Sequence, residues 1–368
     1  MASVVRVRLR DFRAYSDAEV DVGERLTVIH GPNGAGKTNI VEALYFGCTG
    51  RSCRTTNDRE LVRFGAPATR VEVVLSCADG EHRLAVGYEP GEAKHLTADG
   101  ASVERLGDVS FRPLVCVFVP DRIELVKGPP ALRRSHLDQL VAALWPARAI
   151  ARRTYAQTLS QRNALLARVR GGAGAAALRT WDLELGRLAL ELREHRERAV
   201  ALVAPRAASL AADIGLTGDL VVRYRPRSLA ASPEEFADEL AERLRADLER
   251  GFTGHGPHRD ELVLTRDGRE LRTFGSQGEQ RLALLALLVA EREALSAERG
   301  RPPLLLLDDV MSELDPERRA ALIERVTLEG QCVVTTADRD HVPVLTQTPL
   351  LRLSVDDAVV RRAEVLAA

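Results

Sequence analysis

An α/β fold, with one head assembled from both chain ends and helices inserted between them, is predicted by three features of the 368-residue sequence. A strand, glycine loop and helix open the chain, a long stretch of helical composition fills the middle, and an apolar strand ending in acids begins the closing α/β segment. In chain order, VVRVRLRDF, AEVDV and RLTVIHG are β-branched or alternating runs divided by turn residues, which predicts strands up to Gly31. After the glycine loop, TNIVEALYFG carries apolar residues at helical spacing. From about 71 to 119, RVEVVLSC, HRLAVGY and LVCVFV are interrupted by DG and PG turns and predict antiparallel hairpins. Residues 131 to about 250 read as helices, with GGAGA at 171–175 as the turn of a helical hairpin. ELVLTRDG then predicts a strand, 277–297 a helix, PLLLLD a buried strand, 316 onward a helix and QCVVTT a strand. The expected division is a head made of 1–130 and 251–368 around a helical subdomain at 131–250.

Composition narrows the function classes. With 45% apolar and 29% charged residues the chain is globular, and Lys+Arg of 52 against Asp+Glu of 53 leaves a formal charge of −1. A nucleic-acid surface must therefore come from local segregation of charge. No apolar run approaches the roughly 20 residues that span a bilayer, and the start lacks a signal-peptide core, so a cytosolic protein without membrane contact is expected. Cys48, Cys53, Cys77, Cys116 and Cys332 are an odd, scattered set without CxxC, which argues against a disulfide framework and a zinc site.

The chemistry concentrates in three segments. Gly31, Pro32, Asn33, Gly34, Ala35, Gly36, Lys37 and Thr38 fit GxxxxGK[ST]: backbone N–H groups wrap phosphates, Lys37 reaches the β/γ-phosphates and Thr38 offers a hydroxyl to Mg²⁺. ATP and Mg²⁺ are the expected cofactors. Leu304–Leu307 is an apolar strand that delivers Asp308 as the second metal-organising carboxylate, with Asp309 beside it as a base for the attacking water. Ser276, Gln277, Gly278, Glu279 and Gln280 open a long helix whose start presents a hydroxyl and free N–H groups to an anion. Taken alone, that segment is only a helix cap with a helix behind it; the acid-ending strand and SELDPERR that follow it favour the anion site.

The ordered set GPNGAGKT, SQGEQ, LLLLDD and SELD resembles the ABC-type ATPases and, within them, the RecF family of DNA replication and repair recombination mediators, whose head is similar to those of SMC and Rad50. LRDFRAY (9–15), GRSCRT (50–55), VPDRIELVKGPPALRRSHLD (119–138), GPHRDEL (256–262) and FGSQGEQRLALLALLVAE (274–291) carry the resemblance over nearly the whole chain. The resemblance implies two heads closing around two ATPs. Ser276 and Gly278 of one subunit would clasp the γ-phosphate held by Lys37 of the other, with Asp315 of SELD in the D-loop at that interface. It also implies an ATP-dependent homodimer, double-stranded and gapped DNA as ligand, and RecO-like and RecR-like partners in loading a RecA-type recombinase, while slow hydrolysis is expected because the Asp309 side chain is one methylene shorter than glutamate. Thr336 stands where many ABC ATPases carry a switch histidine, Asp309 stands where most carry glutamate, and no Q-loop glutamine is evident near VPDRIEL.

Residues 131–170 hold eight arginines and one acid, Asp138, whereas 179–198 hold five of each. The first stretch is expected to contact DNA, through Arg148, Arg152 and Arg153 in particular. His255 and His258 are expected in a loop near nucleotide or DNA. The alternative function is a transport-type ABC ATPase subunit driving a permease. SQGEQ in place of an LSGGQ-like signature speaks against it, and the insertion is too short for the arms of an SMC or Rad50 protein.

Overall fold

The computed structural model describes residues 2–172, 177–343 and 349–366. Strands β1 (Ser3–Phe12), β2 (Tyr15–Asp21) and β3 (Leu26–His30) lead into helix α1 (Lys37–Thr49). Strands β4 (Thr69–Cys77), β5 (Gly80–Tyr88), β6 (His95–Ala98) and β7 (Ala101–Ser102) follow, then β8 (Val115–Phe118). The middle holds helices α2 (Pro130–Leu144), α3 (Ala149–Arg170) and α4 (Leu178–Asp213), strand β9 (Leu220–Arg225), and helices α5 (Pro233–Glu242) and α6 (Leu244–Arg250). The chain closes with β10 (Glu261–Arg266), β11 (Arg269–Glu270), α7 (Gln277–Arg299), β12 (Leu304–Asp308), α8 (Pro316–Thr327), β13 (Cys332–Thr336), β14 (Leu350–Asp356) and β15 (Val359–Leu366).

The chain divides into two compact units, residues 1–122 with 210–217 and 288–368, and residues 123–209 with 218–287. The first contains two six-stranded sheets. One, in the order β2-β1-β4-β5-β6-β7, is antiparallel; its strands alternate, so that Val71, Val73 and Leu75 of β4 are buried and the residues between them point to the other face. The other runs β15-β14-β3-β13-β12-β8 and is parallel from β14 to β8. Its β12 and β13 are buried at every position, which is why they read as nearly unbroken apolar runs. Val7, Leu9 and Val73, Ile29, Leu306 and Val333, and Ile40, Leu44 and Phe46 of α1 join in one core. Each such side chain contributes about 1.5–3 kcal/mol on burial. This topology places the glycine loop after β3 and the acids after β12, with β13 between them, at the C-terminal edge where open α/β sheets bind ligands.

The second unit packs α3, α4 and α5 around Tyr155, Leu185, Leu188, Leu192, Phe236 and Leu240, and carries the three-stranded sheet β11-β10-β9.

Three expectations differ from the structure, and two strands were not expected. LVCVFV is no hairpin strand: β8 pairs in parallel with β12. The 131–250 stretch is not all helix, because Leu220, Val222 and Tyr224 alternate inward along β9, which pairs with β10. The second compact unit holds 123–209 and 218–287 and so includes the SQGEQ segment that was assigned to the head. Finally, β14 and β15 had no expected counterpart. Of the GGAGA turn, 173–175 lie outside the described residues.

Candidate functional site

The glycine loop is braced from two sides. A Cβ on Gly31 would stand 2.0 Å from the carbonyl oxygen of Val355 in β14, and Ala358, in the turn between β14 and β15, donates its N–H to Ala35 O at 3.0 Å. Gly36, at φ +108°, caps α1, and the Tyr15 hydroxyl donates to its carbonyl at 3.2 Å. A side chain at 36 would be strained and would meet Tyr15 Oη at 2.8 Å. Lys37 Nζ, buried at the start of α1, donates to Gly31 O at 2.7 Å and Pro32 O at 2.9 Å. Burial holds the pKa of the ammonium down, while Asp309 and Asp308 act to raise it.

Across β13, Asp308 is buried at the end of β12. Thr38 Oγ1 donates to its carboxylate at 2.8 and 3.1 Å, and Thr335 Oγ1 at 2.6 Å. Burial raises the Asp308 carboxyl pKa, and the two hydroxyls oppose that shift. Asp309 adopts φ +52°, and its N–H donates to Thr335 Oγ1 at 3.1 Å. The Thr38 hydroxyl and the Asp308 carboxylate form an all-oxygen pair of the kind that binds Mg²⁺ together with phosphate oxygens and waters. These two residues could hold the metal. Beside them, the glycine-loop N–H groups could hold phosphates.

Sequence reasoning passed over Thr335, which reads only as part of a buried strand. It also passed over Glu42. This fully buried carboxylate on α1 receives Arg13 bidentately at 2.8 and 2.9 Å, Ser52 Oγ at 2.5 Å and Arg54 Nη1 at 3.4 Å. LRDFRAY and GRSCRT are thus tied to the helix that follows the glycine loop, and the signal was an acid among the apolar residues of α1. Thr336 Oγ1 donates to Asp338 O at 3.0 Å.

In the second unit, Ser276 and Glu279 form a reciprocal capping box. Glu279 N–H donates to Ser276 Oγ at 3.3 Å, and Ser276 N–H donates to the Glu279 carboxylate at 2.8 Å. Ser276 and Gly278 are exposed, and a Cβ on Gly278 would meet nothing within 4 Å. In the first unit, Asp315 caps α8 by accepting from Arg318 N at 3.0 Å.

Residues 6–89 match the AAA domain family model. The DNA replication and repair protein RecF of Myxococcus xanthus is 39% identical over 348 residues, covering 91% of this chain and 90% of that protein. This chain belongs to the RecF family. A solved RecF, the recombination mediator of the RecFOR pathway with ATP, superposes with a TM-score of 0.83 at 26% identity over 100% of this chain and 98% of that one. An Smc head domain from Pyrococcus furiosus shares the fold, with a TM-score of 0.59 at 17% identity over 100% of this chain and 97% of that one. RecF membership makes the chain an ABC-type ATPase of DNA replication and repair, and the transporter-subunit alternative is set aside. Among the described residues no helix is long and apolar enough to cross a membrane.

In the RecF-type GPHRD segment of the second unit, His258 and Asp260 belong to a polar network while Arg259 is exposed. His258 Nε2 lies 2.9 Å from Thr253 O and must donate there, so Nδ1 accepts from the Tyr155 hydroxyl at 2.8 Å. Burial lowers the His258 pKa, in keeping with this neutral form. Asp260 accepts from Tyr224 Oη, from Arg227 N at 2.6 Å and from Arg196 at 3.3 Å, while His255 meets Glu239 at 2.6 Å.

The arginines of 131–170 are likewise not one basic face. Arg133 is buried against Glu261 at 2.7 Å, and Arg162, with no exposed surface, joins Asp182 at 2.6 Å and Asp247 at 3.0 Å. Acids remote in sequence neutralise them on folding. Arg152, though exposed, reaches Asp138 at 3.0 Å, and the Arg148 guanidinium lies 4.6 Å from the Trp145 ring centre. Arg153, Arg168 and Arg170 are not buried in this way.

Proposed function

We propose that this protein is an ATP-switched recombination mediator that closes as a homodimer on gapped or double-stranded DNA and hydrolyses ATP slowly. One observation carries the reading: the Thr38 hydroxyl and the Asp308 carboxylate, 270 residues apart in sequence, meet at 2.8 Å beside Lys37. Lys37 neutralises the β/γ-phosphates, Thr38 and Asp308 organise Mg²⁺, and Asp309 polarises the attacking water. Asp309 is one methylene shorter than glutamate, and a misplacement of about 1 Å costs on the order of 10²-fold in rate. Ser276 and Gly278 of one subunit clasp the γ-phosphate held by the other, and Asp315 lies in the segment crossing that interface. The exposure of the capped start of α7 supports this role. Arg148, Arg152 and Arg153 supply DNA contacts, and RecO-like and RecR-like proteins are the partners.

Sedimentation with and without ATP, in the presence of gapped DNA, tests the reading. A dimer that carries DNA only with ATP is expected. A species that stays monomeric with ATP, or that binds gapped DNA equally without it, overturns the switch.

A further inference from the structure

Away from the nucleotide site, one corner of the antiparallel sheet gathers three different metal-ligating side chains. Cys77 ends β4, Asp79 sits in the turn and His82 lies on β5; their ligand atoms all fall within 4.8 Å of one another. The register explains the meeting. Leu75 pairs with His82 and Cys77 with Gly80, so Cys77, two residues beyond Leu75, shares a face with His82.

The imidazole is already oriented. His82 Nδ1 meets Asp99 Oδ2 at 2.7 Å, and Asp99 is itself fixed, accepting Arg83 N–H at 2.7 Å and donating its own N–H to Arg83 O at 2.8 Å. The ring also stacks on Phe111 with centroids 4.2 Å apart. Nε2 is shielded from solvent and lies 3.2 Å from Asp79 Oδ2. That spacing matches two ligands of a tetrahedral ion at about 2.0 Å each, which stand about 3.3 Å apart. A carboxylate behind the distal imidazole nitrogen is the arrangement that orients zinc-bound histidines.

The geometry points to a Zn²⁺ site formed by Cys77 Sγ, Asp79 and His82 Nε2, with Asp99 as positioning residue and the fourth position open to water. A thiolate, an imidazole and a carboxylate together suit this borderline-soft cation. It runs against the expectation drawn from the scattered cysteines, because a mixed site needs a single thiol and no CxxC pair. It clips the turn of the β4–β5 hairpin to the Asp99 turn between β6 and β7, and it is independent of the nucleotide chemistry.

The test uses the full chain stripped with chelator and titrated with Co²⁺ as a spectroscopic stand-in, then with Zn²⁺ in competition. One equivalent of Co²⁺ should produce a thiolate-to-metal charge-transfer band that Zn²⁺ abolishes. Cys77→Ser should remove the band, His82→Gln should weaken binding, and Asp99→Asn, with all three ligands intact, should lower affinity by about 10–100-fold. Asp308→Asn should leave the band unchanged, because the Thr38–Asp308 pair has no sulfur. Thermal unfolding in chelator confirms that each variant is folded, and Zn²⁺ should then stabilise the wild type but not Cys77→Ser. No band, a band that survives Cys77→Ser, or unchanged affinity in His82→Gln overturns the site and leaves His82 as an imidazolium shared by Asp79 and Asp99.

Discussion

Thr335 Oγ1 donates to Asp308 Oδ1 at 2.6 Å, and the same oxygen accepts the N–H of Asp309 at 3.1 Å. One hydroxyl on the central strand β13 thus holds the buried acid and the backbone of its neighbour. Thr335→Val keeps the shape and removes both bonds. Leaving a buried polar group unpaired costs about 1–3 kcal/mol. The variant should melt lower than wild type, and Mg²⁺ should restore less of its ATP binding. Thermal unfolding with and without Mg·ATP measures both effects, and wild-type behaviour in both would remove Thr335 from the site.

Lys37→Ala should abolish hydrolysis and weaken ATP binding, because the ammonium grips the β/γ-phosphates. Asp309→Asn should retain ATP and Mg²⁺ and accumulate the dimer, whereas Asp308→Asn should lose Mg²⁺ affinity. Titration of Mg²⁺ into both aspartate variants with ATP present separates the roles. Equal defects would show that the division between the two acids is wrong.

The raised pKa of Asp308 has a sign that can be checked. Mg²⁺ needs the carboxylate, so its affinity should fall with decreasing pH beginning above the range where an ordinary aspartate protonates. For the metal-free fold, the native state binds this proton more tightly than the unfolded chain does. The contribution of Asp308 to stability is therefore present at low pH and is lost as pH rises through its folded pKa. Unfolding of wild type and Asp308→Asn over a pH series should differ by that slope, and parallel curves would contradict it.

Ser276→Arg removes the capping hydroxyl at a cost of about 0.5–2 kcal/mol and puts a bulky cation where the partner's nucleotide would dock. Nucleotide binding by the monomer should stay near wild type while ATP-driven dimerisation disappears in sedimentation. A variant that still dimerises would place the clasp elsewhere.

Arginines within one sequence stretch should divide into two classes. Arg148, Arg152 and Arg153 changed together to Ala should preserve ATP-driven dimerisation and flatten the salt dependence of gapped-duplex binding by about 0.9 in log–log slope for each phosphate no longer neutralised. Asp138 keeps Arg196 at 2.8 Å in that variant, so the fold should survive. Arg162→Ala should instead cost about 3–5 kcal/mol, since it strands Asp182 and Asp247 without their buried partner. An unchanged slope in the triple variant would assign DNA binding to another surface.

The sequence alone determined the elements that carry the chemistry, because those signals are local. A glycine loop must show glycines where phosphate approaches backbone, and a strand buried on both faces must read as Leu304–Leu307 does before its acids. The α/β class and the pairing of chain ends followed from the same signals. Partnership across sequence distance was decided only by the tertiary structure. Periodicity shows that LVCVFV is a strand but not which strand it pairs with, so β8 came to lie in the parallel sheet beside β12. Charge counts could not show that Arg133 and Arg162 are neutralised by Glu261, Asp182 and Asp247, since Coulomb attraction and hydrogen bonding depend on distances set by folding. Thr335 and Glu42 stayed hidden for the same reason. Each matters through what touches it, and Thr335 meets Asp308 only because β13 lies between β3 and β12.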